Sequence, residues 1–140
     1  MTDQSQFRKL KILSFNNLSC IFKKKRKFGV ALRAINYALK MEEGLLSVVG
    51  NQEKYDIIPT YLNKAAIFNQ MKRHDEALET IKKARTHIEE IEQEMTAQIE
   101  KTAEEGEKKR LLEKRYYGMY MKMIIFYNLA AEKEHLHLRS

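Results

Sequence analysis

The chain has 140 residues with 26 basic and 19 acidic side chains, which gives a net charge of +7. That length suits one domain, and only five glycines and one proline interrupt a composition rich in helix formers, which predicts an all-α fold. A single cysteine excludes an intramolecular disulfide and indicates a reducing, cytoplasmic compartment. No apolar run has the length of a membrane span, so we expect no membrane partner.

The first predicted helix runs from Phe7 to Lys24 and ends in a strongly basic run. The first 40 residues carry ten basic side chains and one acidic side chain, a net charge of +9. Three interpretations of the run remain open: a solvated loop, a nuclear-import signal, and a contact with a polyanion such as an acidic protein tail or nucleic acid. The candidate polyanion-binding residues are Lys23, Lys24, Lys25, Arg26 and Lys27.

The next two predicted helices are separated by a short linker. The second helix begins at Phe28 and extends to a C-terminal stop at Gly50. Residues 50–56 form the linker, and Pro59 opens the third helix, where its missing N–H costs nothing. After a polar turn, Asp75 is predicted to cap a fourth helix, so that the third and fourth helices form a hairpin.

Small and bulky apolar residues share one face on each helix of this hairpin, which lets the two helices approach closely. The set comprises Tyr61, Ala65, Phe68, Ala77, Ile81 and Ala84. It recurs 46 residues earlier without a gap as Phe15, Ser19, Phe22, Ala31, Ile35 and Ala38, joined there by Leu18. It begins a third time 65 residues later, with Phe126, Leu129 and Ala130. This recurring set resembles the tetratricopeptide repeat.

The resemblance implies an α-solenoid of helix hairpins with elongated second helices. Its repeats would cover about 12–49, about 58–104 and, incompletely, about 107–140 of one helical domain. Two positions depart from the family pattern, since Lys64 stands where a leucine is usual and His74 where an aromatic residue is usual. Because the third repeat is cut short, we expect the domain to belong to a longer chain.

The fourth helix is predicted to continue well beyond Arg85, since apolar residues follow at helical spacing as far as Ile99. Either a second hairpin turns near Gly106, or one charged helix runs straight past it. We favour the hairpin, because the third repeat must pack against the second. The apolar stripe expected to make that contact comprises Leu111, Leu112, Tyr116, Met119, Tyr120, Met123, Ile124 and Tyr127.

The sequence has no glycine-rich phosphate loop and no recognisable catalytic set, so we expect neither an enzyme nor a cofactor, metal or small-molecule substrate. Asn17, Asn63 and Asn128 occupy the same position in the first helix of each repeat. In tetratricopeptide proteins these helices line a groove, so the resemblance implies a peptide-binding ladder of three asparagines. The alternative is that each asparagine bonds within the fold.

The partner that we expect is a protein with an acidic surface, because the first 40 residues carry most of the positive charge. The two better repeats also resemble, in general style, tetratricopeptide proteins of ciliated protists, many of them axonemal. That resemblance implies a scaffold in a cilium or another microtubule assembly, with tubulin or neighbouring subunits as partners. The alternative is a basic adaptor that binds nucleic acid, or is imported into the nucleus, through its basic run.

Overall fold

The structure is a computed structural model and describes residues 3–46 and 54–139. Within those ranges the chain forms α-helices and no strand, which confirms the predicted all-α class. The helices are α1 (Asp3–Lys24), α2 (Phe28–Leu45), α3 (Ile57–Gln70), α4 (His74–Lys101) and α5 (Glu105–Arg139). The hairpin predicted near Gly106 is present, since α4 ends before that residue and α5 begins beside it.

Helices that follow one another in the chain pack against one another. Turns of three residues join α1 to α2, α3 to α4 and α4 to α5, so each of these pairs runs antiparallel. The pair α1 and α2 is called the first hairpin below, and α3 and α4 the second hairpin. The second hairpin lies in the middle, because α2 packs on α3 from one side and α5 packs on α4 from the other.

The turns of the two hairpins have the same backbone hydrogen bonds. In the first, the N–H of Lys27 donates to the carbonyl of Phe22 at 2.8 Å. In the second, the N–H of Arg73 donates to the carbonyl of Phe68 at 2.9 Å. Each turn has one residue other than glycine at positive φ, Arg26 at 60° and Lys72 at 64°. The two turns therefore have the same backbone structure, at the 46-residue offset that the sequence shows.

The alanines predicted at helix contacts are buried, and large apolar side chains fill the space around them. Ala31 and Ala38 in α2, and Ala77 and Ala84 in α4, have no exposed surface. The main core joins the end of α2 to α3, α4 and α5, and Ile58, Ile88 and Met95 are among its fully buried members. A smaller cluster around Ile35 and Ile67 includes the partly buried Phe22 and Phe28. Protein interiors are packed at close to crystal density, so these large side chains fit only where the neighbouring positions hold small residues such as alanine.

Several details of the helix ends differ from the predictions. Asp75 does not cap α4; the cap position is Arg73, which makes no side-chain cap bond, and Asp75 lies in the first turn. There its negative carboxylate is attracted to the positive end of the helix dipole. Pro59 is the third residue of α3 instead of the first, still within the turn that lacks N–H partners. The predicted stop at Gly50 lies outside the described residues, as does most of the linker at 50–56.

The prediction of which face of α5 packs against the second hairpin is wrong. Of that predicted set only Leu111 is buried, while Tyr116, Met119, Tyr120, Met123 and Tyr127 are each more than half exposed. The packing face consists of Leu111, Met121, Ile125 and Leu129, together with Gly118. Both faces of α5 are apolar, so helical spacing alone could not choose between them.

Candidate functional site

A cavity of about 400 Å³ lies where α1, the end of α2 and the start of α3 meet. Its wall is mixed: apolar side chains from all three helices alternate with polar groups. The lining residues are Lys9, Ile12, Leu13, Asn16, Asn17, Glu42, Leu45, Leu46, Asp56, Ile57, Pro59, Thr60 and Asn63. An apolar cavity with a few convergent polar groups is the usual form of a binding site.

The polar groups of this cavity form a chain of hydrogen bonds across three helices. The hydroxyl of Thr60 donates to a carboxylate oxygen of Glu42 at 2.5 Å, and both side chains are buried. The side-chain amide of Asn16 donates to the Thr60 hydroxyl at 3.2 Å. The amide of Asn63 in turn donates to the side-chain oxygen of Asn16 at 3.4 Å. These bonds fix the spacing of α1, α2 and α3 around the cavity.

The carboxyl of Glu42 is the electrostatically unusual member of the chain. Burial raises the pKa of Glu42 to about 7, because the charged form loses its water. The Thr60 hydrogen bond opposes this shift, and the neighbouring carboxylates of Asp56 and Glu43 add to it. The cavity therefore gains negative charge near neutral pH.

The structure brings two of the three predicted groove asparagines together. Asn17 and Asn63 both line the cavity, Asn17 exposed on α1 and Asn63 partly buried on α3. Asn128 lies on α5, outside the residues that line the cavity, and its amide donates to the carbonyl of Ile124 on its own helix at 3.0 Å. The predicted ladder is thus reduced to a pair at this cavity, and peptide binding remains a prediction.

The predicted polyanion-binding residues form the turn of the first hairpin. Lys23 is partly buried at the end of α1, whereas the other four side chains are exposed. The guanidinium of Arg26 lies 5.4 Å from the centre of the Phe28 ring, a cation–π contact that holds it on the surface. Phe28 itself packs against the smaller core, so it is not free to stack on a base.

A second group of polar side chains, centred on the buried His74 and Glu132, joins the second hairpin to α5. The ring nitrogen Nδ1 of His74 lies 2.7 Å from Glu132, whose other carboxylate oxygen accepts a bond from the amide of Asn69 at 2.6 Å. The His135 ring stacks on His74, with 4.4 Å between ring centres. Within the described ranges, no group of three or more His, Cys, Asp or Glu residues is placed to hold a metal ion. These contacts connect helices.

Sequence reasoning missed Glu42, Thr60 and Asn16. A signal for the first was present, because Glu42 continues the apolar face of Ala31, Ile35 and Ala38 at helical spacing. A carboxylate at such a position is buried with the face and needs a hydrogen-bond partner. The partner could not be found from sequence, since Thr60 belongs to a different helix, 18 residues away.

No family model, no curated protein and no solved structure matches this chain. None of the helices in the described part of the chain combines the length and the apolar character that crossing a membrane requires.

Proposed function

We propose that the chain is a non-enzymatic scaffold of tetratricopeptide-like hairpins, an α-solenoid segment that binds a partner protein in the groove between α1 and α3. The matching turns of the two hairpins and their buried alanines support the repeat assignment. In such an arrangement the first helices of successive hairpins line one groove, and here these are α1 and α3.

The cavity between those helices is the observation that carries the proposal. Asn17 and Asn63 flank it with amide groups that suit the backbone of an extended peptide. Ile12 and Leu13 provide apolar wall for a side chain of that peptide. The same wall holds Lys9 as well as Glu42 and Asp56, so a peptide that carries charges of both signs fits it best.

The cellular setting that we propose is a cytoplasmic assembly, and the resemblance to ciliate axonemal proteins favours a cilium or another microtubule structure. In that setting the exposed bases at Lys24, Lys25, Arg26 and Lys27 would meet acidic neighbours such as the tails of tubulin. The groove and the turn would then engage different parts of one assembly.

A second candidate function is supported by the same turn: a basic adaptor that binds nucleic acid or carries a nuclear-import signal. Four exposed basic side chains in succession provide the electrostatic contact that phosphates require. Such binding is expected to fall steeply with salt and to disappear when the run is neutralised.

Site-specific photo-crosslinking tests the groove. A photoreactive amino acid replaces Leu13 at the cavity, or Lys83 on the exposed side of α4 as the matched control. The proposal expects a discrete protein crosslinked in native extract from position 13 and not from position 83, and lost when Asn63→Trp narrows the cavity. Equal crosslinking from both positions would contradict it.

The alternative is tested by replacing the five residues Lys23 to Lys27 with serine and repeating the capture at two salt concentrations. The scaffold proposal expects the protein crosslinked at position 13 to remain. Nucleic acid as the main captured species, lost in the serine variant, would instead support the basic adaptor.

A further inference from the structure

The outward face of α5 is a largely exposed apolar stripe, and one edge of it, at Met119, Met123 and Phe126, borders a groove beside α4. Leu112, Tyr116, Met119, Met123 and Phe126 follow one another at steps of four and three, and they are 37–71% exposed. Steps of three and four that persist over several turns are the pattern of a helix that pairs with another helix. From Leu112 to the exposed Ala130, this stripe is about 27 Å long at the rise of an α-helix.

The opposite face of α5 is already buried against the second hairpin through Met121, Ile125 and Leu129. A helix that is apolar on both faces is normally covered on both. Tyr120 and Tyr127 widen the outward stripe and are 62% and 76% exposed. An exposed apolar surface of this kind marks an interaction site.

The charges at the two ends of this stripe indicate what covers it. Lys109 continues the stripe beyond Leu112 at one end, and Glu134 continues it beyond Ala130 at the other, both exposed and both at helical spacing. They lie 25 positions apart in the sequence, with the apolar side chains between them. The stripe is therefore flanked by a lysine at one end and by a glutamate at the other.

A second copy of the same helix, running antiparallel, complements the charged ends of this stripe. When the midpoint lies between Met121 and Lys122, Lys109 of one copy faces Glu134 of the other, and the same pair forms again at the far end. The same register places Tyr116 opposite Tyr127. A surface that matches itself about a two-fold axis forms a closed dimer.

We propose that the chain forms a homodimer through an antiparallel pairing of the outward stripes of two α5 helices. The interface is the outward stripe, from Lys109 to Glu134, and its occupant is a second copy. Aromatic and methionine side chains at its centre supply the apolar contact. The charge pairs at its ends set the antiparallel direction and the register.

Another apolar surface competes for the same role. The outer face of α1 exposes Phe7, Leu10 and Leu13. It is basic, with five Lys or Arg and one Asp in the helix. Pairing of α1 with α5 would join copies head to tail and would not close. The two α5 stripes match better, because each supplies both charges of the end pairs.

Sedimentation velocity of the purified chain over a range of concentrations gives the first test. The expected result is a dimer of twice the 16.6 kDa chain mass. Met123→Glu, at the centre of the stripe, should abolish the dimer, and Leu10→Glu on α1 should leave it intact. Circular dichroism shows whether each variant is folded. A monomer at every concentration overturns the proposal, and so does loss of the dimer with Leu10→Glu alone.

Exchanging the charges at the two ends of the outward stripe tests whether the two α5 helices run antiparallel. Lys109→Glu and Glu134→Lys, each alone, should weaken the dimer about tenfold or more, since each places like charges together at both ends. The double variant restores opposite charges and should bring the dissociation constant back to near the wild-type value. A parallel pairing would keep like residues opposite one another in every variant. Absence of recovery in the double variant therefore contradicts the antiparallel arrangement.

Discussion

The turns of the two hairpins share one backbone conformation and differ in the contacts of the side chain that follows it. In the first hairpin, the residue that begins the second helix is Phe28, partly buried against the smaller core. In the second hairpin, His74 has the same place, is 4% exposed, and reaches Glu132 of α5. The backbone is set locally, whereas the side chain at this position is suited to the helix that covers it.

The contact between His74 and α5 separates the two turns most clearly, so breaking it gives the largest expected effect. Glu132→Ala leaves the buried His74 and the partly buried Asn69 without their acceptor and should lower the free energy of unfolding by about 3 kcal/mol. Urea denaturation measures it. The matched control is Glu113→Ala on an exposed position of α5, for which a change of at most about 0.5 kcal/mol is expected.

A double variant makes the second turn resemble the first. His74→Phe together with Glu132→Leu replaces a buried polar pair by an apolar one, as at Phe28. Its loss of stability should be clearly smaller than the sum of the losses in His74→Phe and Glu132→Leu alone, because only Asn69 is then left without its acceptor. If the losses simply add, the pair is not what ties α5 to this turn.

The first hairpin places a carboxyl, that of Glu42, in a buried contact with Thr60 of the second hairpin. This burial makes the stability of the fold depend on pH. Glu42 of the first hairpin keeps its proton in the folded chain up to about pH 7, whereas the unfolded carboxyl loses it near 4.5. Between these values the folded state binds more protons, so stability falls as pH rises and then levels off.

Glu42→Gln removes that titration and keeps an oxygen to accept the Thr60 bond. At pH 8 the variant should be more stable than the wild type by about 2 kcal/mol, and at pH 4 the two should be nearly equal. Urea denaturation at both values tests this, with the exposed Glu90→Gln as control. An equal effect of Glu42→Gln at both values would contradict it.

Two glycines, one in α5 and one in the first hairpin, differ in the space around them. A β-carbon at Gly118 would lie 2.7 Å from the hydroxyl of Tyr55, so Gly118→Ala should cost about 2 kcal/mol. At Gly29, in the first hairpin, a β-carbon would meet no atom within 4 Å in the described chain beyond its chain neighbours and its own helix backbone. Gly29→Ala should therefore stabilise α2 by up to about 1 kcal/mol.

Thermal denaturation of both glycine variants checks these opposite signs. Tyr55→Phe combined with Gly118→Ala adds a second check. It removes a buried hydroxyl that has no hydrogen-bond partner within the described ranges, and with it the closest contact, while ring carbons at 2.9 Å and 3.1 Å remain. The double variant should recover part of the loss, and no recovery would show that the clash lies elsewhere.

Spacing in the sequence predicted the features that depend on one helix or one turn. The alanines at 31, 38, 77 and 84 and the repeat offset needed no knowledge of distant contacts. The hydrogen-bond partners of Glu42 and Glu132 could not be predicted, since Thr60 and His74 lie on other helices, 18 and 58 residues away. The sequence pattern wrongly places the outward face of α5 in the core, because both faces of this helix are apolar.

Glycine substitutions in the two turns have the smallest expected effect on stability. They also test most directly whether the two turns are equivalent. Arg26 and Lys72 lie at positive φ, where a β-carbon is unfavourable and glycine is not. Arg26→Gly and Lys72→Gly should each stabilise the chain by about 0.5–1 kcal/mol. Since the hydrogen bonds of the two turns match, the gains should agree within error in urea denaturation. A gain at one turn and a loss at the other would show that the surrounding helices, and not the shared turn, determine this conformation.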